Sequence, residues 1–230
     1  MAELWQGFVR ALELIISLDA EVMQIAGRSL ALASVSCTIA IVLFVPLGNL
    51  IYFNRFRGKR VLVNIIQTLY GMPTVAVGLI VFVFVSNAGP FGTMGLLFTP
   101  AAIIIGQVLL ISPIVAGLTI SALSGVDRSV SETAFSLGAN RFQAMALVNR
   151  EARFALFAAL TMGFGRAVSE VGISMMVGGN IRGFTRTITT AISLETSKGD
   201  LELSLALGVI LITLALIVNI IMNRVQHRKE

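Results

Sequence analysis

The sequence is poor in charged residues, and this shortage excludes an ordinary soluble domain. Only 13% of its 230 residues are Asp, Glu, Lys or Arg, while 56% are hydrophobic; a soluble domain carries roughly 25% charged residues. No acidic residue, basic residue or histidine occurs between Val61 and Val126. One bilayer crossing needs about 20 apolar residues, so this stretch is long enough for two crossings and a connecting loop. The composition predicts an integral membrane protein.

Cysteine and histidine are equally scarce, which excludes several kinds of site. Cys37 is the single cysteine and lies in an apolar segment, so it is predicted to be a small core residue without a disulfide partner. The single histidine, His227, lies in a basic tail and is predicted to be solvated. The sequence has no Cys/His cluster, no recognisable nucleophile triad and no Gly-x-x-x-x-Gly-Lys-Ser/Thr phosphate loop,. The chain is therefore predicted to be no enzyme and to hold no cofactor or metal of its own.

Apolar runs between loop signals predict an all-α protein with five membrane spans. Residues 1–28 are predicted to form an extracytoplasmic amphipathic segment, because Phe8, Leu12 and Ile15 recur at helical spacing,. This helix either lies along the membrane surface or packs on the bundle, and a sixth span results if residues 1–18 insert instead. A transmembrane domain follows over 29–222, with a basic tail at 223–230. The predicted spans are Ser29–Phe53, Val61–Ser86, Pro100–Leu123, Phe154–Val177 and Leu203–Met222.

The basic residues alternate with the spans and predict the orientation of the chain in the membrane. Residues 54–60, the loop at about 124–153 and the tail together carry eleven Lys and Arg residues, whereas five lie on the other side. Cytoplasmic loops carry the excess of Lys and Arg. The N-terminus is therefore predicted to be outside and the C-terminus cytoplasmic. The same rule accounts for the net charge of +5 without nucleic-acid binding.

The loop at about 124–153 is predicted to contain two short helices joined by a glycine. Ser129 and Glu132 match a Ser-x-x-Glu capping box, and the helix that begins there is expected to end at Gly138, because glycine accepts a left-handed backbone. Asn140 and Gln143 match a second capping box. The pair either packs on the chain's own spans or docks into a groove of a soluble partner. The apolar side of the second helix is predicted to comprise Phe142, Met145, Ala146 and Val148.

This loop resembles that of the permease subunits of ABC importers. Residues Glu132–Ala134, then three residues, Gly138, nine further residues and Val148 look like the family's pattern of Glu-Ala-Ala, three residues, Gly, nine residues and Ile-x-Leu-Pro. Thr133 stands in place of an alanine, and Arg150-Glu151 stands in place of Leu-Pro. Residues 165–192, with Gly179-Asn180-Ile181 and the threonines that follow, are similar to the molybdate, sulfate and tungstate branch, and most similar to its tungstate permeases.

The resemblance implies a bundle like that of type I ABC importer permeases, in a prokaryotic cell membrane. It further implies a homodimer with the path between the subunits, two ATPase subunits that bind ATP and Mg on the cytoplasmic side, and an extracytoplasmic binding protein that delivers an oxyanion. Tungstate is the expected substrate, with molybdate and sulfate as alternatives. The residues expected to form the ATPase-coupling loop are Ser129, Glu132, Ala134, Leu137, Gly138, Ala139, Asn140, Phe142 and Val148.

An anion also needs a polar path, because an isolated charge in hydrocarbon is very costly. Arg166 and Glu170 are four residues apart and are predicted to face each other on one helix, either as a static ion pair or as a gate element. Further along, neutral donors that suit an oxyanion are frequent. Arg182 and Arg186 either attract the anion or an acidic docking surface, or are solvated charges. An ordinary loop with threonine-capped turns is the alternative. The candidate path or gate residues here are Gly178, Gly179, Asn180, Thr185, Thr187 and Thr189.

Two other functions fit parts of the pattern. A secondary transporter driven by an ion gradient would show inverted repeats and more titratable residues in its spans, whereas Glu170 is the one acidic residue predicted to lie within them. A membrane scaffold that only recruits a partner would need neither Glu170 nor the threonine stretch.

Overall fold

The computed structural model describes residues 2–227, and the regular secondary structure in that range is helical. Short 3-10 turns at Leu69–Gly71 and Gly92–Met94 join some of the helices. The helices, numbered in chain order, are α1 (Ala2–Ile16), α2 (Ala20–Phe53), α3 (Lys59–Thr68), α4 (Thr74–Val85), α5 (Pro100–Ser124), α6 (Arg128–Ser136), α7 (Arg141–Glu151), α8 (Arg153–Val168), α9 (Gly172–Gly178), α10 (Ile188–Lys198) and α11 (Leu201–His227).

Three helices, α2, α5 and α11, are each long and apolar enough to cross a membrane. Two further pairs qualify only as bent spans: α3 with α4, which meet at 100°, and α8 with α9, which meet at 53°. Counting each bent pair once gives the five predicted spans. The second and fourth spans are therefore not the continuous helices that their apolar runs indicate.

The helix that contains the first predicted span begins nine residues before Ser29. Helix α2 begins at Ala20, because the carboxylate of Asp19 accepts a hydrogen bond from the backbone N–H of Val22 at 3.0 Å and caps the helix. The predicted boundary between residues 28 and 29 consequently falls inside α2. At the other end of the chain, α11 continues through His227, whereas residues 228–230 of the predicted basic tail lie outside the described residues.

Helix α1 packs against α11. Its Ala11 and Leu14 are buried in one cluster with Ala206, Leu207 and Ile210. With 15 residues, α1 is about 22 Å long, shorter than the roughly 30 Å hydrocarbon core. The structure therefore matches an amphipathic helix packed on the bundle, not a sixth span.

Helix α5 is the centre of the bundle and the most buried of the three single-helix spans. It packs closely along α2, where a Cβ on Gly48 would lie 2.9 Å from the carbonyl oxygen of Ala116, so glycine is required for this approach. One polar chain crosses the core: the Ser36 hydroxyl donates to Gln107 Oε1 at 2.8 Å, and Gln107 Nε2 donates to the Ala167 carbonyl at 3.1 Å. These bonds join α2, α5 and α8.

Candidate coupling helices and translocation path

Helix α6 begins two residues earlier than the capping box predicted. The Asp127 carboxylate accepts a hydrogen bond from the Ser129 N–H at 2.7 Å, and this bond holds the pKa of Asp127 below its usual range,. Ser129 is thus inside the helix and is not the cap, and the side chain of Glu132 is exposed. The Ser129–Glu132 capping box was wrong because the chain leaving α5 meets Asp127, an equally good cap, first.

The turn after α6 forms as predicted around Gly138. Its φ is +84°, in the left-handed region that glycine accepts without a steric penalty. The Gly138 N–H donates to Phe135 O and the Ala139 N–H donates to Ala134 O, both at 3.0 Å. These bonds satisfy carbonyl groups that the end of a helix leaves free and make the turn stiff.

Helix α7 begins with the predicted capping box. Asn140 Oδ1 accepts from the Gln143 N–H at 2.9 Å, and Gln143 Oε1 accepts from the Asn140 N–H at 2.8 Å. The predicted apolar side of this helix was wrong in part: Val148 is buried together with Ala144, but Phe142 is 81% exposed. Phe142 lies on the opposite side of the helix from the face that packs on the bundle.

Large apolar side chains protrude from the helix pair on its outer side. Leu137 is 83% exposed and Phe135 is 53% exposed, in addition to Phe142. We call Phe135, Leu137 and Phe142 the apolar knob. Aromatic and leucine side chains placed on a stiff turn in this way are typical of a helix element that enters a groove on a partner.

The inner side of the pair is fixed to the bundle by packing and by hydrogen bonds to α2. Val148 packs in a cluster with Leu123 at the end of α5. Asn149 Nδ2 donates to Asn49 Oδ1 at 2.6 Å, and Arg141 Nη2 donates to Phe53 O at 3.0 Å and to the side chain of Asn54 at 2.7 Å. The inner side of the pair therefore packs on the chain's own spans, as one of the two interpretations predicts. The outer side is exposed, and its docking on a soluble partner stays a prediction.

The asparagine and arginine contacts were missed from the sequence. An asparagine in the apolar run that ends α2, at position 49, was the available signal, because such a residue seeks a polar partner. Its partner lies 100 residues away, and no local pattern identifies it. A cavity of about 560 Å³ lies beside these contacts, and four of its lining residues are basic: Arg55, Lys59, Arg128 and Arg141.

The ion pair predicted between Arg166 and Glu170 is not formed. Helix α8 ends at Val168, so the two residues do not share one helix face. The buried Glu170 carboxylate instead accepts a hydrogen bond from the Ile173 N–H at 2.7 Å at the start of α9. No ion pair of Arg166 within 4.0 Å is found among residues 2–227; its Nη2 donates to Met72 O at 3.5 Å.

The break between α8 and α9 is held by residues from elsewhere in the chain. Gln107 supplies the donor for the Ala167 carbonyl, and the Thr189 hydroxyl donates to the Glu170 carbonyl at 2.7 Å. Irregular backbone at membrane depth is tolerated only where protein or a polar cavity satisfies its polar groups. Both contacts meet that requirement.

The threonine stretch is buried and internally hydrogen-bonded. The Thr185 hydroxyl donates to the Gly178 carbonyl and accepts from the Ile181 N–H at 3.0 Å. Thr187 caps α10 in a capping box with Thr190. This arrangement matches the alternative of threonine-capped turns, because these hydroxyls already have partners. Gly179 and Asn180 turn the chain with φ of +70° and +50°. The role of this stretch in a path or gate stays a prediction.

Arg182 and Arg186 both contact Glu21 at the start of α2. Arg182 Nε donates to Glu21 Oε1 at 2.8 Å, and its Nη2 contacts Glu21 Oε2; Arg186 Nη1 lies 3.6 Å from Glu21 Oε1. Arg28 donates to the carbonyls of Gly183 and Arg186 at 2.8 and 3.1 Å. These contacts fasten the segment between α9 and α10 to α2.

Comparison with known proteins gives consistent relatives. The profile of a family described as "Binding-protein-dependent transport system inner membrane component" matches residues 44–230. The tungstate uptake system permease protein TupB of Peptoclostridium acidaminophilum is 38% identical over 96% of this chain and 97% of its own length. TupB of Campylobacter jejuni is 38% identical over 97% of this chain and 94% of its own length.

Solved structures with the same fold include two ABC transporters. An inward-facing MetNI methionine transporter matches with a TM-score of 0.74 at 19% identity, covering 92% of this chain and 97% of the matched chain. A bacterial alginate transporter in complex with its substrate-bound periplasmic protein matches with a TM-score of 0.78 at 17% identity, covering 99% and 87%. At these identities the likeness concerns the fold.

Proposed function

This chain belongs to the binding-protein-dependent transport system inner membrane components, and we propose that it is the membrane permease of an ATP-driven importer that carries tungstate into the cell. The family and the relatives give the transporter class. The 38% identity to tungstate permeases over nearly their whole length favours tungstate. Molybdate and sulfate, which are also tetrahedral dianions, are the alternative substrates.

The observation that carries the proposed mechanism is the apolar knob on a helix pair whose inner side is bonded to α2. The knob docks in a groove of an ATPase subunit, which binds ATP and Mg. When two ATPase subunits close on ATP, they displace the knob. Because the turn at Gly138 is stiff and Asn149 and Arg141 hold α2, the displacement reaches the bundle instead of being absorbed in the loop.

The remaining parts of the assembly follow from this arrangement. The knob faces the cytoplasm, so the C-terminus is cytoplasmic and the N-terminus is outside, as the basic residues favour. A homodimer places the path between two subunits, and an external binding protein delivers the anion. A secondary transporter is less well supported, because the buried carboxylate of Glu170 caps α9 and is committed to structure.

Reconstitution tests the proposal. Proteoliposomes containing this chain, its ATPase and its binding protein are assayed for uptake of tungstate, molybdate and sulfate, with ATP or ADP supplied on the ATPase side. Tungstate uptake that requires both ATP and the binding protein is expected. An ATPase variant that binds but does not hydrolyse ATP is the control. Uptake driven by an ion gradient without ATP, or no uptake of any of the three anions, would contradict the proposal.

A further inference from the structure

We propose that Arg166 is a binding subsite for the translocated anion, at which two guanidinium groups, one from each subunit of the dimer, neutralise one tetrahedral dianion. This inference rests on the proposed function, and it names the residue at which the transported anion binds within the membrane. Arg166 lies thirteen residues after the start of α8, which is about 20 Å along the helix. In a hydrocarbon core of about 30 Å, this position is far from the cytoplasmic surface.

Arg166 has no ion-pair partner within 4.0 Å among residues 2–227. Glu170, the nearest acidic residue in the sequence, interacts with it electrostatically at longer range, but Oε1 of its carboxylate accepts the hydrogen bond from the Ile173 N–H at the start of α9. The one hydrogen bond of the guanidinium, to Met72 O, is long at 3.5 Å, and Arg166 Nε is buried without a partner among residues 2–227. An intramembrane charge in this state is expensive unless it faces a polar cavity or a ligand.

Arg166 lies between irregular backbone and an uncovered side of α8. The carbonyl that it contacts, Met72 O, belongs to the irregular segment between α3 and α4, where the span bends by 100°. On the same side of α8, Met162 is 64% exposed and Ser169 is exposed, so no described helix covers this face. A second subunit that covers this face would bring the two Arg166 side chains to the subunit boundary.

The chemistry of the side chain fits an oxyanion. A guanidinium is planar, stays charged, and donates two parallel hydrogen bonds to two oxygens of the same anion. Two such groups match the charge of a dianion. Because each guanidinium also donates to a backbone carbonyl, it binds the anion without holding it so tightly that transport stops.

Substitution of Arg166 is the first test. In the reconstituted transporter, Arg166→Gln is expected to lower the initial rate of tungstate uptake at least tenfold while stimulation of the ATPase by the binding protein persists. Arg166→Lys, which keeps the charge, is expected to recover most of the uptake. Arg10→Gln removes a positive charge at the surface and is the matched control. Uptake by Arg166→Gln within twofold of the unsubstituted protein, or equal loss in the Gln and Lys variants, would overturn the subsite.

A second test leaves Arg166 in place. Ser169→Cys, in a Cys37→Ser background, is treated with methanethiosulfonate reagents that carry a negative sulfonate or a positive trimethylammonium group. The anionic reagent is expected to react faster, and tungstate is expected to slow the reaction. Faster reaction of the cationic reagent, or no reaction with either, would refute the subsite even if tungstate uptake is normal. Failure of the unsubstituted protein to transport tungstate would instead refute the proposed function.

Discussion

The two ends of α8 are built in different ways. Just before α8 begins, the helix pair of α6 and α7 is shaped by contacts between near neighbours, such as Asn140 with Gln143 and Gly138 with Phe135. At its end, the break before α9 is held by Gln107, 60 residues from the carbonyl that it satisfies, and by Thr189, 19 residues away. The first end is a local structure that exposes the apolar knob, and the second is a tertiary structure that satisfies the backbone at a bend in a span.

Removing the apolar knob is expected to have the largest effect. The double substitution Leu137→Asp with Phe142→Asp places two charges where buried contacts to the ATPase are expected, and central contacts of this kind dominate an interface. ATP-driven uptake should fall about a thousandfold, since loss of two anchors costs roughly 2 kcal/mol each and about 1.4 kcal/mol corresponds to tenfold, while insertion stays normal. Leu18→Asp, an exposed leucine at the other end of the bundle, is the control. Unchanged uptake in the double variant would exclude the knob as the docking surface.

Disrupting the break between α8 and α9 is expected to affect the stability of the fold before it affects the coupling of ATP hydrolysis to uptake. Gln107→Leu leaves the Ala167 carbonyl and the Ser36 hydroxyl without their partners in the core, at a cost of about 1 to 3 kcal/mol. The midpoint of thermal unfolding in detergent should fall. Gln67→Leu, at an exposed position of α3, should leave it unchanged. Equal stability of the two variants would mean that the buried network does not hold the break.

Straining the turn at Gly138 between α6 and α7 is expected to lower stability less than disrupting the break does. Its main effect is expected on the coupling of ATP hydrolysis to uptake. Gly138→Val forces a β-branched residue into a φ of +84°, which costs roughly 1 to 2 kcal/mol. We expect about a tenfold loss of tungstate uptake per ATP hydrolysed, because roughly 1.4 kcal/mol corresponds to tenfold. Gly27→Val, where a side chain meets open space, is the control. Normal coupling in Gly138→Val would show that the turn need not be stiff.

The sequence predicted helices α6 and α7 better than it predicted the break between α8 and α9. The contrast between the two ends of α8 explains why. Caps and glycine turns depend on residues three or four positions apart, so Gly138, Asn140 and Gln143 could be interpreted directly. Even there, Asp127 competed with Ser129 for the cap, and helix phase alone did not show that Phe142 faces outward.

Hydropathy likewise predicted five spans but could not show that two of them are bent helix pairs, which the structure counts as spans only when each pair is taken as one. A bend inside an apolar run leaves little trace in composition, because its polar groups are satisfied by distant partners. For the same reason, the spacing of Arg166 and Glu170 predicted an ion pair that the end of α8 at Val168 prevents.

The smallest effect is expected at the surface contact between α2 and the segment after α9. Arg182 is 73% exposed and pairs with Glu21, and such pairs contribute about 0 to 1 kcal/mol. Arg182→Gln should therefore change the unfolding midpoint only slightly, and the change should shrink in high salt. Arg10→Gln, which removes an exposed pair within one helix, is the comparison. A large, salt-independent loss in Arg182→Gln would mean that this contact holds the fold as the buried network does.

The central claim is that the turn around Leu137 docks on an ATPase at the cytoplasmic surface. A photo-reactive amino acid at position 137, in membranes that also contain the ATPase, tests this directly, with the same amino acid at position 18 as the control. The account predicts a covalent adduct with the ATPase from position 137 and none from position 18. The absence of an adduct from position 137, together with labelling of a Leu137→Cys variant by impermeant thiol reagents added outside the cell, would contradict it.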